Sequence, residues 1–371
     1  MNRSTKAVFL ITMTAALFFG FLGLFIPGYN FERLHIFLFN LSSGGTIILM
    51  HTEKKKAFSV RTGAFYLLSL MYAVSAFFQL YPYAIAVAIL LALIVENIRA
   101  GRFSFFPADF FRGSVPTYSK FHQASLLCLS IGLIISSLVI CNHEYWKILS
   151  SPKLTLDIFF LGFSFPGSLI TMSVMFIMME ERRNMPIRIL KEFSFWAVTI
   201  GVIVFFLFIL LQMVRAELAI SLLLFIAVII IFFLYLRLGI RQQSKAFLTS
   251  GIVFLIMTAI TGIIYILLYA FIPQPPGGKL LLKLHALISL YGWNLNGLAV
   301  ICRYDDFPIQ LNSSRVVLFH WIIVLLIAPL GFYFRAFSII AVIAYGLFLY
   351  IILFTKGSAG KPISRPVDET A

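Results

Sequence analysis

Apolar runs that are long enough to cross a membrane follow one another along almost the whole chain. A helix of about 20 apolar residues spans the hydrocarbon layer of a bilayer. Twelve runs approach or reach that length, at roughly 8–28, 34–50, 64–79, 81–97, 122–141, 157–179, 193–214, 217–236, 247–272, 283–302, 315–331 and 333–355. No segment between them is long enough for an independent core. The pattern predicts an all-α polytopic bundle of about 12 transmembrane helices, forming one integral-membrane domain over residues 1–371.

Basic residues are divided unequally between the two faces of the predicted bundle. Most of the 29 Lys and Arg residues fall on the face that holds the N-terminus, which we call the basic face. Because cytoplasmic loops carry an excess of Lys and Arg, this face and both termini are predicted to be cytoplasmic, in a multi-pass protein of the inner or plasma membrane. Anionic lipid beside the basic face accounts for the net charge of +15. The lipid bilayer is therefore the predicted partner, and nucleic acid is not.

Composition also narrows the classes of function. Hydrophobic residues make up 61% of the chain, and none of the 14 acidic residues falls at the centre of an apolar run. Ion-coupled transporters usually bury a carboxylate, so this distribution disfavours them. The three cysteines show no CxxC spacing, which disfavours a zinc site or a disulfide framework. No nucleotide-binding or protease motif is present, so the sequence leans against an enzyme and leaves the question open.

Two histidines stand in matching settings and carry most of the chemical information. His35 and His285 each open an apolar run from the face opposite the basic face. A cation lies two residues before each of them, Arg33 in one case and Lys283 in the other. A small-residue break follows in each run, at Gly44-Gly45 and at Gly292. Paired intramembrane imidazoles at one face suit a metal cofactor, of which haem b is the predicted one.

The surroundings of the two histidines favour the same interpretation. At about 100° per residue, Ser42 shares a helix face with His35, and Gly292 shares one with His285. Small residues there would leave room for a flat macrocycle, and Arg33 and Lys283 would neutralise its propionates. The alternative is that the histidines and small residues serve helix packing, and that the two cations reach towards the membrane surface.

A second pair of histidines is a weaker candidate for a site near the basic face. His122 begins the fifth run from that face, and His320 lies between one and two turns into the eleventh. Together they could hold a second haem or a quinone.

These features resemble subunit I of the haem–copper oxidase superfamily, and most closely its C-family and nitric-oxide-reductase branch. In that branch span 2 carries a haem-ligand histidine followed nine and ten residues later by Gly-Gly, as His35 is followed by Gly44-Gly45. Span 10 there carries a histidine with Gly-Trp seven and eight residues later, as His285 is followed by Gly292-Trp293. The resemblance implies an oxidase-like bundle with one haem held between His35 and His285.

The chain also departs from the pattern of that family. Leu287 stands where the family has the second histidine of its His-x-His pair, and residues 158–179 and 193–214 contain none of the copper-ligating histidines. No copper and no oxygen reduction are therefore expected. The resemblance instead implies electron transfer or the binding of O2 or NO, with a redox partner or other membrane subunits. Two alternatives stay open, namely a transporter or permease for a small or lipophilic solute, and a non-catalytic subunit of a larger complex.

Overall fold

Helices form almost all of the ordered architecture. The computed structural model describes residues 1–26, 28–148, 152–180, 184–240, 244–272 and 277–356, and these residues contain no β-strand. The helices are α1 Arg3–Leu22, α2 Phe31–Thr52, α3 Val60–Phe77, α4 Tyr81–Ala100, α5 Thr117–Trp146, α6 Pro152–Ile177, α7 Met185–Leu210, α8 Val214–Leu238, α9 Lys245–Phe271, α10 Gly278–Cys302, α11 Ser314–Leu330 and α12 Arg335–Phe354.

The predicted all-α polytopic bundle is confirmed. Ten of the described helices are long and apolar enough to cross a membrane, and α6 and α11 add shorter apolar stretches at Phe163–Ile177 and Ser314–Leu330. Each of the twelve helices overlaps one of the predicted runs. The agreement follows from the thickness of the bilayer, which requires apolar runs of nearly uniform length.

Three helices lie at the centre of the bundle. Helices α2 and α10 have the largest buried share of the ten candidate spans, and both pack against α6 and against each other. Their buried residues include polar side chains that could not face lipid, among them Asn40, Ser42 and Asn294. By contrast, α8 and α9 are strongly apolar and have the smallest buried share of the ten candidate spans, 28% each, which is typical of helices that face lipid on one side. Helix α1 packs against α12 and closes the bundle.

Both central helices that carry a candidate histidine contain a π-helical segment. In α2 it covers Phe37–Gly45, and in α10 it covers Ile288–Asn294. A π-helix forms i→i+5 hydrogen bonds, which widen the turn and change the direction of the side chains that follow. Such segments occur often at functional sites. In both helices the segment begins within three residues of the histidine.

A buried arginine ties three helices together at the basic face. Arg303, just after α10, is 1% exposed, and it donates hydrogen bonds to the last carbonyls of α12, those of Ile352, Leu353 and Thr355. It also donates to Asp306, which pairs with Lys6 of α1 at 3.3 Å. Burial alone would raise the pKa of Asp306, but the hydrogen bond and charge of Arg303, together with Lys6, lower it below its ordinary value.

Candidate functional site

His35 sits in a niche formed by the neighbouring helix α1. Its Nδ1 lies 2.8 Å from the carbonyl oxygen of Ala16, and its ring covers Gly20 one turn further along α1. A Cβ added at Gly20 would lie 2.7 Å from that Nδ1, so only glycine leaves room for the ring. The hydroxyl of Tyr291 on α10 lies 3.0 Å from the same nitrogen.

His285 sits in a niche of the same construction on α9. Its Nδ1 lies 3.0 Å from the carbonyl oxygen of Thr258, and the Thr261 hydroxyl is 3.2 Å away. The ring covers Gly262, where an added Cβ would lie 3.1 Å from the imidazole carbon Cε1. Carbonyl and glycine are again four residues apart, as they are at Ala16 and Gly20. The two histidines are therefore alike in their surroundings as well as in their sequence.

The two niches select the same tautomer of imidazole. A carbonyl oxygen can only accept a hydrogen bond, so Nδ1 of each histidine carries the proton and donates it. Nε2 then keeps its lone pair, and a neutral imidazole nitrogen of this kind is a common metal ligand. A metal-ligating histidine usually donates its other N–H to a carboxylate, a carbonyl or water. The donor set of His35 and His285 therefore fits the predicted role as iron ligands.

The two imidazoles nevertheless occupy separate niches. His35 faces α1, whereas His285 faces α9, and among the described residues no hydrogen bond or ring contact joins them. Tyr291 lies against His35, with its hydroxyl 3.4 Å from Nε2 and the two ring centres 5.6 Å apart. A single haem ligated by both histidines would therefore require Tyr291 to move aside.

The two predicted propionate partners point away from the histidines. Residues two apart on an α-helix lie on nearly opposite sides, and both Arg33 and His35 belong to the α-helical segment Phe31–Ile36. Arg33 hydrogen bonds with Tyr81 at the start of α4. Lys283 lies over the ring of Phe332, with 4.8 Å between its Nζ and the ring centre. These positions do not support the propionate role. They agree better with the alternative interpretation, in which Arg33 and Lys283 reach towards the membrane surface.

Aromatic side chains fill the small-residue breaks that the macrocycle interpretation required. Gly292 shares the α9-facing side with His285, as helical arithmetic predicts, but the ring of Phe254 lies against it. A Cβ added at Gly292 would be 2.6 Å from that ring. At Gly45 the ring of Phe65 lies 3.0 Å from an added Cβ. These glycines serve close helix packing in the structure.

Tyr291 connects the first histidine with buried polar groups deeper in the bundle. Its carbonyl oxygen accepts a hydrogen bond of 2.6 Å from Nε2 of His320, which stacks on Phe348 at 4.4 Å. Its ring packs edge-on against Tyr345, with 4.9 Å between centres. Nδ1 of His320 and the hydroxyl of Tyr345 are buried without a hydrogen-bond partner. The sequence alone does not indicate these contacts, because they join Tyr291 to residues of three other helices.

His122 and His320 do not form a shared site. His122 stacks on His51 with 5.4 Å between ring centres, and its Nε2 lies 2.8 Å from the hydroxyl of Thr52. His320 is surrounded by residues of α9, α10 and α12 instead. The predicted pairing of His122 with His320 is thus replaced by a pair of His122 with His51, which sequence spacing did not indicate.

No conventional metal centre is visible in the part of the chain that the structure describes. No three His, Cys, Asp or Glu side chains converge there in a way that could hold a metal ion. Any metal would therefore depend on single imidazoles and on a cofactor that brings its own ligands. Comparison with protein-family models, with characterised proteins and with solved structures gives no match to the chain.

Proposed function

We propose that the chain is an integral-membrane b-type haem protein, in which His35 and His285 supply imidazole ligands to iron. The observation that carries the proposal is the shared niche. Two histidines at one face of the bundle both donate Nδ1–H to a backbone carbonyl, both lie on a glycine one turn later, and both keep Nε2 as a base. A bound haem would supply one-electron redox chemistry or a site for O2 or NO.

The residues of the chain would orient the two ligands. The carbonyl oxygens of Ala16 and Thr258 fix the rotation of each ring, and the glycines at 20 and 262 let the rings approach their helices closely. Tyr291 decides how many imidazoles are available, because its hydroxyl lies beside both nitrogens of His35. Two available imidazoles favour electron transfer, whereas a single one favours gas binding at the open position.

The test is an absorbance spectrum of the purified protein, expressed with ample haem. We expect a dithionite-reduced minus oxidised spectrum of b-type haem, with about one haem per chain by the pyridine assay. His35→Ala and His285→Ala should each remove or shift the signal. His143→Ala is the matched control, since His143 is exposed and pairs with Glu144. A colourless protein, or a haem signal unaffected by both replacements, would overturn the proposal.

A second candidate, a permease for a small polar solute, is favoured by one specific observation. Polar atoms in the core of the bundle are buried without a partner, among them Asn40 Nδ2, His320 Nδ1 and Tyr345 Oη. A buried polar atom is normally satisfied by protein or by water, so these groups would offer hydrogen bonds to a polar solute. Uptake of a solute by vesicles containing a colourless protein would establish this function in place of haem binding.

The proposal includes an inner or plasma membrane, with the basic face in the cytoplasm and a redox partner or companion subunit beside the bundle. Its support is the unequal division of basic residues. Biotinylation of Lys54, Lys55 and Lys56, which are exposed, tests the orientation in sealed cells. They should react only after the membrane is opened, whereas labelling of intact cells would reverse the assigned topology.

A further inference from the structure

Three exposed phenylalanines project from the segment between α4 and α5, residues 101–116, which we call the aromatic loop. Phe105 is 67% exposed, Phe106 75% and Phe111 78%. Soluble surfaces rarely expose several large apolar side chains together, and where they do, the patch usually meets a membrane or a partner. The loop lies on the basic face, at the end of α4 where Arg99 is located.

The aromatic loop is held in one shape by internal hydrogen bonds. Arg99, which is 2% exposed, donates to the carbonyl oxygens of Ser104 and Phe105 and is paired with Glu96 at 2.6 Å. The Ser104 hydroxyl donates to the carbonyl oxygen of Phe106 at 2.6 Å. At the far end of the loop, Arg188 of α7 donates to the carbonyl oxygen of Gly113. Because the buried Arg99 already fixes the backbone of the loop, the phenylalanines lose little further conformational entropy when they contact a partner.

Contacts with the helices place the aromatic loop at the level of the membrane surface. The side chain of Gln123, which lies almost two turns into α5, donates to the carbonyl oxygen of Ser104 at 3.3 Å. Phe111 packs on Trp196, which lies three turns into α7, with ring centres 5.1 Å apart. The loop therefore folds back along the outside of the bundle, beside residues inside the predicted spans. Tryptophan and basic side chains mark this depth in many membrane proteins.

We propose that the aromatic loop is an anchor whose phenylalanines Phe105, Phe106 and Phe111 insert into the lipid leaflet at the basic face. Their depth matches the boundary between headgroups and acyl chains, where aromatic rings are favoured. The charges around them suit the same occupant, because Arg112 and the 54–56 lysines are exposed and belong to the basic face. Basic residues near a membrane surface attract anionic lipid.

Nitroxide labels on two positions of the aromatic loop provide the test. Phe106→Cys and Ser114→Cys are made in a chain whose native cysteines are replaced by alanine, and each is labelled in nanodiscs containing anionic phospholipid. Ser114 is exposed in the same loop but small and polar, so it is the matched control. We expect the ratio of oxygen to nickel-chelate collisions to be several-fold higher for the label at 106 than for the label at 114.

The outcome distinguishes lipid from a protein partner. A water-like collision ratio at both positions would overturn the proposal and would leave the exposed phenylalanines as a surface for another protein. If the chain without cysteines fails to fold, Phe106→Trp in the native chain replaces the labels. Additional quenching of its fluorescence by brominated lipid, relative to the parent chain, is then the expected result, and no additional quenching overturns the proposal.

Discussion

Replacement of Gly20 by alanine tests the niche of His35 directly. The added methyl carbon would lie 2.7 Å from Nδ1 of His35, and the ring cannot rotate away without breaking its 2.8 Å hydrogen bond to Ala16. Real carbon–nitrogen contacts require the ring to withdraw by about 0.5 Å or more, which would stretch that bond beyond about 3.2 Å. The substitution should therefore change the orientation of His35 and the coordination of any iron that it holds.

The expected cost in stability can be worked from two opposing effects. Overpacking of a buried site destabilises by about 1–3 kcal/mol. Alanine gains up to about 1 kcal/mol over glycine in a helix, because it loses less backbone entropy on folding. The net effect of Gly20→Ala should be a loss of about 1–2 kcal/mol of folding free energy. Gly23→Ala is the matched control, since its added carbon would meet Cβ of Phe31 at an ordinary 3.4 Å and the carbonyl oxygen of Gly20 at 4.0 Å.

Two assays on the purified protein check the prediction. Thermal unfolding in detergent should show a lower midpoint for Gly20→Ala and an unchanged or higher midpoint for Gly23→Ala. The haem spectrum should shift or disappear in the first variant alone. If both variants behaved like the parent chain in both assays, the close contact between Gly20 and His35 would be refuted as the determinant of the niche.

The other predictions concern the basic face and Tyr291. Arg303→Met should lower the free energy of unfolding by about 2–3 kcal/mol, because the buried carbonyls and Asp306 lose their hydrogen-bond donor. Its unfolding midpoint should be lower than that of Arg112→Met, the exposed control. Because the pKa of Asp306 is lower in the folded chain, its stabilising contribution is complete above the ordinary aspartate value of 3.8 and is lost as the pH falls below it. Asp306→Asn should flatten that acid dependence of the unfolding midpoint, and an unchanged dependence would contradict the coupling. Tyr291→Phe should release Nε2 of His35 and increase the low-spin fraction of the haem spectrum, whereas an identical spectrum would show that the hydroxyl does not limit ligation.

Sequence reasoning could recover the helices because a bilayer imposes their length, and it could select His35 and His285 because few polar residues open an apolar run. It could not recover the partners of those histidines. Ala16 and Thr258 contribute only backbone carbonyls, which any residue has, and they are identified only after α1 and α9 have packed. A glycine one turn after each carbonyl is the only signal in the chain that could have indicated the niches.

The positions of the two cations could not be predicted from their spacing alone. Spacing by two residues looks close in sequence, but on an α-helix it places Arg33 and Lys283 on the side opposite the histidines. The predicted room beside the glycines was also beyond the reach of the sequence. A sequence shows where a side chain is missing, but it does not show which ring of another helix packs there. Phe254 lies on α9 and Phe65 on α3, and the packing of these helices against α10 and α2 is what brings each ring onto its glycine.

The composition of the two central helices has a consequence for how the chain enters the membrane. Helix α10 has the lowest mean hydropathy of the ten candidate spans, and α2 shares the next lowest with α3. Insertion by the translocon depends on the hydrophobicity of each segment, so α2 and α10 are poor candidates to enter lipid alone. The histidine of each one is hydrogen bonded to the helix that directly precedes it in the chain, which is α1 for α2 and α9 for α10. We therefore expect the pairs α1–α2 and α9–α10 to enter the membrane as hairpins, each joined by the hydrogen bond between imidazole and carbonyl.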